Sequence, residues 1–193
     1  MKILDALCRN REFEQILSEN RERLYRIAFA WSHHPDVADD LVQDTCAKAL
    51  KQRKQLRELD TMSPWLFRIL KNTWHDHLRG RKECIEYDET SFADEETPES
   101  VNSRYETVQR VRQSLARLPL GQREVMTLVD LEHFSYAEVA QILDIPAGTV
   151  MSRLCRARRQ LKELLLSAEQ SVDGGNGKRT SKASVVTIRG LKN

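Results

Sequence analysis

The sequence predicts an all-α protein: two small helical domains joined by a flexible acidic linker, the C-terminal one containing a helix-turn-helix. Apolar residues recur at three-and-four spacing over long stretches, which is the period of an amphipathic helix. Only 7 Gly and 5 Pro occur in 193 residues, few for a chain made of many short strands and turns. The stretch 83–103 carries eight acids, no Lys or Arg and no helical period, so it reads as a linker between two folded blocks. The expected division is 1–83, linker 84–104, 105–170, and a flexible basic tail 171–193.

In the first block, Phe13, Ile16, Leu17, Leu24, Ile27, Ala28 and Trp31 share one helical face, and His33-His34-Pro35 breaks that helix. A second helix is expected from near Asp36 to about Lys54. After the loop LRELDTMS, Ser63-Pro64 reads as N-cap and first-turn proline of a third helix running to about Lys82. The second block should be helical from about Tyr105 to Ala168. In the tail, five basic residues face one acid, and Val185-Val186-Thr187-Ile188 has the β-propensity to pair with a partner. No internal repeat is present.

The net charge of +2 hides a strong local asymmetry. No apolar run reaches the ~18 residues of a membrane span, and no signal peptide is visible, so a cytoplasmic protein without membrane insertion is expected. The cysteines, Cys8, Cys46, Cys84 and Cys155, are far apart and form no CxxC pair. They point to reduced structural thiols rather than a metal site. His33, His34, His75 and His77 have no paired nucleophile or ligand set. No catalytic residue, metal or cofactor is expected, and the chain is not expected to be an enzyme.

The stretch SYAEVAQILDIPAGTVMSRLCRARRQL carries the sharpest local signal. Ser135 and Glu138 form a capping box that starts a helix. Val139, Ile142 and Leu143 make its apolar side. Leu143-Asp144-Ile145 is a tight break, with Asp144 standing where glycine is common; aspartate visits the left-handed region at modest cost. The next helix begins near Pro146. At ~100° per residue its Val150, Leu154, Ala157 and Leu161 fall on one face, and Thr149, Ser152, Arg153, Arg156 and Gln160 on another. That division suits a recognition helix, with one side anchored and the other presenting hydroxyl, guanidinium and amide groups to bases and phosphates. Arg158 and Arg159 lie off that face and suit phosphate contact or solvation.

The second helix of the first block groups Val37, Leu41, Val42, Thr45 and Ala49 on one side and Asp36, Asp40, Gln43 and Asp44 on the other. Acids near a helix start are favoured by its macrodipole, but Asp44 lies beyond that reach. An acidic face maintained there suits a basic partner. The third helix carries Arg68, Lys71, Arg79, Arg81 and Lys82 against one acid, Asp76, with Trp65 and Trp74 interleaved and Asn72 between them. Cations with aromatics can follow a nucleic-acid backbone and stack its bases; burial of both tryptophans in a core is the competing account.

Together, DDLVQDTCAKAL, SPWLFRILKNTWHDHLRGRK and LPLGQREVMTLVDLEHFSYAEVAQILDIPAGTVMSRLCRARRQL resemble the second and fourth conserved regions of bacterial sigma-70-type factors, nearest to the small extracytoplasmic-function (ECF) group. The resemblance covers roughly Phe13–Lys82 and Val108–Leu165. It implies a factor that binds core RNA polymerase, recognises promoter DNA and assists its melting, with an anti-sigma protein as a further partner. By resemblance, Asp40, Leu41, Gln43 and Asp44 match the polymerase-binding surface. Trp65, Arg68, Lys71, Asn72 and Asp76 belong to the helix that meets the −10 element, and the loop Leu56–Ser63 matches the one that captures a flipped base. Thr149, Ser152, Arg153 and Arg156 match the helix that enters the −35 element. The linker would thread toward the polymerase cleft. Three departures stand out: Cys46 replaces a bulkier residue, the capture loop is short and lacks glycine, and the tail has no counterpart. The rival readings are a free-standing helix-turn-helix regulator and a sigma-like decoy for an anti-sigma protein; Arg153, Arg156 and Asn72 argue against the decoy.

Overall fold

The computed structural model describes residues 2–56, 58–84 and 103–173. Of the expected linker, residues 85–102 lie outside the described residues, while Cys84 closes one helix and Ser103 and Arg104 open the next; of the expected tail, 174–193 with its Val185–Ile188 run lie outside them, while 171–173 continue the last helix. Every element among the described residues is helical, as expected, and the chain divides into two compact units.

The first unit is built on α1 (Lys2–Ser32), α2 (Pro35–Gln52) and α3 (Met62–Cys84). α1 ends where His33 takes a left-handed backbone, φ 59°, and its N–H donates to the Phe29 carbonyl at 2.8 Å. This is the usual geometry of a helix stop. Pro35 then opens α2, where its missing N–H costs nothing. Leu24, Ile27, Ala28 and Trp31 of α1, Ala38, Leu41, Val42 and Ala49 of α2, and Met62, Leu66, Phe67 and Leu70 of α3 form the buried core. Each large apolar side chain buried in this way contributes about 1.5–3 kcal/mol. The three helices pack pairwise.

Two short 3-10 turns, Arg53–Gln55 and Leu59–Thr61, connect α2 to α3, with Leu56 buried between them. The expected cap at Ser63 is not formed: α3 starts at Met62. The Ser63 hydroxyl donates to Asn20 Oδ1 at 3.2 Å and accepts from Arg23 at 3.0 Å. Arg23 also bonds Asn20 at 2.9 Å and lies over the Phe67 ring at 5.4 Å. A tertiary network has therefore taken the serine that local sequence would assign to a cap.

The second unit is built around α4 (Ser103–Ala116), α5 (Leu120–Met126) and α7 (Ala147–Asp173). α6 (Tyr136–Leu143) precedes α7 in the chain; its residues through Val139 group with this unit and Ala140–Asp144 with the first. α4 and α5 both pack on α7. At the α4–α5 corner, the Arg123 guanidinium donates to the carbonyls of Ala116 at 2.5 Å and Leu118 at 3.1 Å, satisfying acceptors that the end of a helix leaves open. α5 runs into a π-helical turn, Thr127–Leu131. There the Glu132 N–H reaches back five residues to the Thr127 carbonyl, and the Thr127 hydroxyl donates to the carbonyls of Arg123 and Glu124. His133, at φ 59°, ends the turn.

Thr45 lies on the apolar side of α2, fully buried, and its hydroxyl has no hydrogen-bond partner. Desolvating an unmatched hydroxyl costs about 1–3 kcal/mol. Thr45→Val, which keeps the branched shape, is therefore expected to raise stability by up to about 1 kcal/mol, read as a higher urea midpoint at unchanged slope.

Candidate nucleic-acid interface

The helix-turn-helix forms by the local chemistry its sequence carries. The Ser135 N–H donates to Glu138 Oε2 at 2.8 Å and the Glu138 N–H donates to Ser135 Oγ at 3.3 Å, the reciprocal bonds of a capping box. Asp144 sits in the left-handed region at φ 57°, as the glycine-less turn requires. The first bonds of α7 run from the N–H groups of Thr149 and Val150 to the Pro146 carbonyl at 2.8 and 3.1 Å.

Val150, Leu154, Ala157 and Leu161 are all buried. They orient α7 and thereby sort its arginines. Arg156 is exposed and lies back along its own helix, its Nε donating to the Ser152 carbonyl at 3.3 Å. Ser152 is exposed and Thr149 half-buried at the start of the helix. Arg153 is half-buried against Gly121 of α5, where an added Cβ would fall 2.8 Å from its guanidinium nitrogen. Arg159 points into solvent. Arg158 departs from expectation. Its guanidinium forms a two-pronged pair with Asp130 of the π-turn, at 2.6 and 3.3 Å, rather than standing free for phosphate. That hydrogen bond holds the Arg158 pKa above its ordinary value. The sequence marks Asp130 only as a lone acid inside the apolar run Leu128–Leu131.

On α3, Arg68, Asn72, His75 and Arg79 fall within an arc of about 60° opposite the core, with Lys71 at its edge. Arg68, Asn72 and Arg79 are exposed and Lys71 and His75 half-exposed. Asp76 flanks this stripe, but its carboxylate is taken up by Arg79 on the same helix and by Lys48 of α2 at 3.6 Å. The Arg79 hydrogen bond, with the Lys48 charge beside it, holds the Asp76 carboxyl below the usual range. Lys48 also donates to the Thr73 hydroxyl at 3.0 Å. The tryptophans divide. Trp74 is buried, with its ring stacked on His77 at 5.7 Å, and so belongs to the core. Trp65 is half-buried, edge-on to Phe13 at 6.3 Å, with part of its ring left at the surface.

On α2, Asp40, Gln43 and Asp44 are exposed on one face, which continues through Ala47 to Leu50, 40% exposed. Leu41 does not belong to it. At 2% exposure it points into the helical core, because α2 can bury only the face that also carries Val42, Thr45 and Ala49. Cys46 is half-buried on a flank, and burial pushes its thiol up. Cys155 is exposed on α7. Among the described residues no group of His, Cys, Asp or Glu is placed to hold a metal ion, and no helix is long and apolar enough to cross a membrane.

Known proteins share this arrangement. The family model for sigma-70 region 2 matches residues 16–83 and that for sigma-70 region 4 matches residues 108–161. The chain is 34% identical over 164 residues to the ECF RNA polymerase sigma factor EcfG of Rhodopseudomonas palustris, covering 80% of this chain and 91% of that protein. It is 33% identical over 153 residues to the ECF RNA polymerase sigma factor SigM of Mycobacterium tuberculosis, covering 79% and 76%. Among solved structures, the sigma factor RpoE in complex with the anti-sigma factor NepR from Bartonella quintana matches with a TM-score of 0.68 and 31% identity, covering 80% of this chain and 96% of that one. CnrH in complex with the cytosolic domain of CnrY matches at 0.59 and 26%, covering 85% and 90%.

The burial of Leu41 separates two roles by experiment. Leu41→Ala is expected to cost about 2–5 kcal/mol in urea unfolding, the range for a truncated core leucine. A docking-surface leucine would instead leave the unfolding midpoint in place.

Proposed function

The chain belongs to the sigma-70 family of RNA polymerase sigma factors, in its ECF group, and from that premise we propose which residues carry each of its contacts. It is a transcription initiation factor whose partners are core RNA polymerase, promoter DNA and an anti-sigma protein. The observation that supports a residue map is the sorting of charge by helix. Exposed acids lie along α2, whereas exposed cations and amides lie along α3 and the start of α7.

In this map Asp40, Gln43 and Asp44 dock on core polymerase, with Leu41 behind them as support. Arg68, Lys71 and Asn72 meet the −10 element, and the exposed edge of Trp65 offers a surface for a base. Asp76 orients Arg79 instead of touching DNA. Thr149, Ser152 and Arg156 read the −35 element, and Arg153 contributes from the half-buried flank. Each contact is weak by itself. Held on polymerase at fixed spacing, the second becomes effectively intramolecular, at concentrations that a short tether raises to about the millimolar range. Melting then requires a site that returns part of the few kcal/mol that unstacking a base costs; the loop 56–63 and its neighbour Trp65 are the elements assigned to it. The domains are 1–83 for polymerase and the −10 element, 84–104 as linker, 105–170 for the −35 element and 171–193 as tail. The protein works in the cytoplasm, by binding and positioning rather than by chemistry of its own.

Two measurements test the map. Asp44→Arg should weaken binding to core polymerase while leaving the circular-dichroism spectrum and melting temperature unchanged; unaltered capture of core polymerase would remove Asp44 from the docking surface. Arg156→Ala should cost about 1–3 kcal/mol of −35 discrimination, read as the ratio of transcription from promoters with intact and scrambled −35 elements.

A further inference from the structure

We propose that Asp130 is a positioning residue for the reading helix: through its two-pronged pair with Arg158 it fixes the pose of α7 without touching DNA. This rests on the reading of α7 as the −35 helix. The apolar stripe Val150, Leu154, Ala157 and Leu161 sets which way α7 faces, but apolar burial is non-directional and restrains sliding and tilt poorly. A planar guanidinium gripping a carboxylate with two bonds is directional. Here those bonds are Arg158 Nη2 to Asp130 Oδ1 at 2.6 Å and Nε to Oδ2 at 3.3 Å, joining residues 28 apart in the chain.

The carboxylate is well placed for the task. Its side chain is only 15% exposed, so solvent screens the pair less than an open surface pair. It stands on the π-turn Thr127–Leu131, whose wider backbone ring is anchored by the Thr127 hydroxyl and the Glu132 N–H. π-turns of this kind displace a side chain from its ordinary helical register. Asp130 and Leu131 line the same small gap as Leu161 of α7 and Val111 and Leu115 of α4. Arg158 lies about 160° around α7 from Arg156, on the side away from the reading face. A change at Asp130 therefore reaches DNA only by moving α7, and DNA reading tolerates little movement: productive geometry is held within about 0.5 Å.

The test uses the full chain with core polymerase on two promoters that differ only in an intact or scrambled −35 element. Asp130→Asn should lower the ratio of their transcription by about threefold to tenfold, with core-polymerase affinity and output from the scrambled promoter unchanged. Asp130→Glu, which keeps the charge and both acceptors, should restore most of the ratio. Arg158→Gln should lower it as much as Asp130→Asn does, and the double variant no further, because both remove one pair. The salt dependence of promoter binding should be the same in Arg158→Gln as in the parent. A slope reduced by about one would mark Arg158 as a phosphate contact and overturn the proposal, as would an unchanged ratio in Asp130→Asn. Arg156→Ala run alongside separates the two ideas. Loss of discrimination there with none in Asp130→Asn overturns the positioning role alone; loss in neither overturns the −35 reading of α7 and the positioning role with it.

Discussion

A helix packed against a core can bury one stripe only, and that constraint decides which side chains α2, α3 and α7 leave exposed. On α7 the stripe is Val150, Leu154, Ala157 and Leu161. Once it is buried, the rotation of the helix is settled, and with it which arginines look outward. On α3 the same role falls to Met62, Leu66, Phe67, Leu70 and Trp74, and the opposite arc carries Arg68, Asn72 and Arg79. On α2 burial of Ala38, Leu41, Val42, Thr45 and Ala49 leaves Asp40, Gln43 and Asp44 outside. The exposed polar faces here are the complements of core faces, so packing energy and the set of side chains left outside follow from a single choice of rotation.

Polar side chains then refine what apolar burial leaves loose. Arg23 ties α1 to the first turn of α3 through Asn20 and Ser63. Asp76 gathers Lys48 and Arg79, joining α2 to α3. Asp130 and Arg158 join the π-turn to α7. The first and third restrict motion more than the second, since their atoms are partly withdrawn from water, whereas an exposed pair such as Asp76–Arg79 contributes at most about 1 kcal/mol. The described charges of this chain are thus of two kinds: those left exposed on the helices and those paired between elements.

Much of this was legible in the chain. The capping box at Ser135 and Glu138, the left-handed Asp144, the break at His33–Pro35 and the anchor face of α7 are local or periodic features, and each is present in the structure. The misses share a cause. Ser63 looked like a cap and became a tertiary hydrogen-bond partner; Leu41 looked like part of a docking surface and is core; Arg158 looked free and is paired with a residue 28 positions away. The π-turn has no periodic signature, because it is one widened ring within a helical run.

The sequence by itself determined the helical class, the two-block plan, the turn chemistry and the sign of the charge on each helix, because these follow from nearest neighbours and from a period of 3.6 residues. Only the tertiary structure decided which individual arginines and acids remain available to a partner. A side chain's availability depends on which distant groups the fold brings within hydrogen-bond range, and neither spacing nor composition carries that distance.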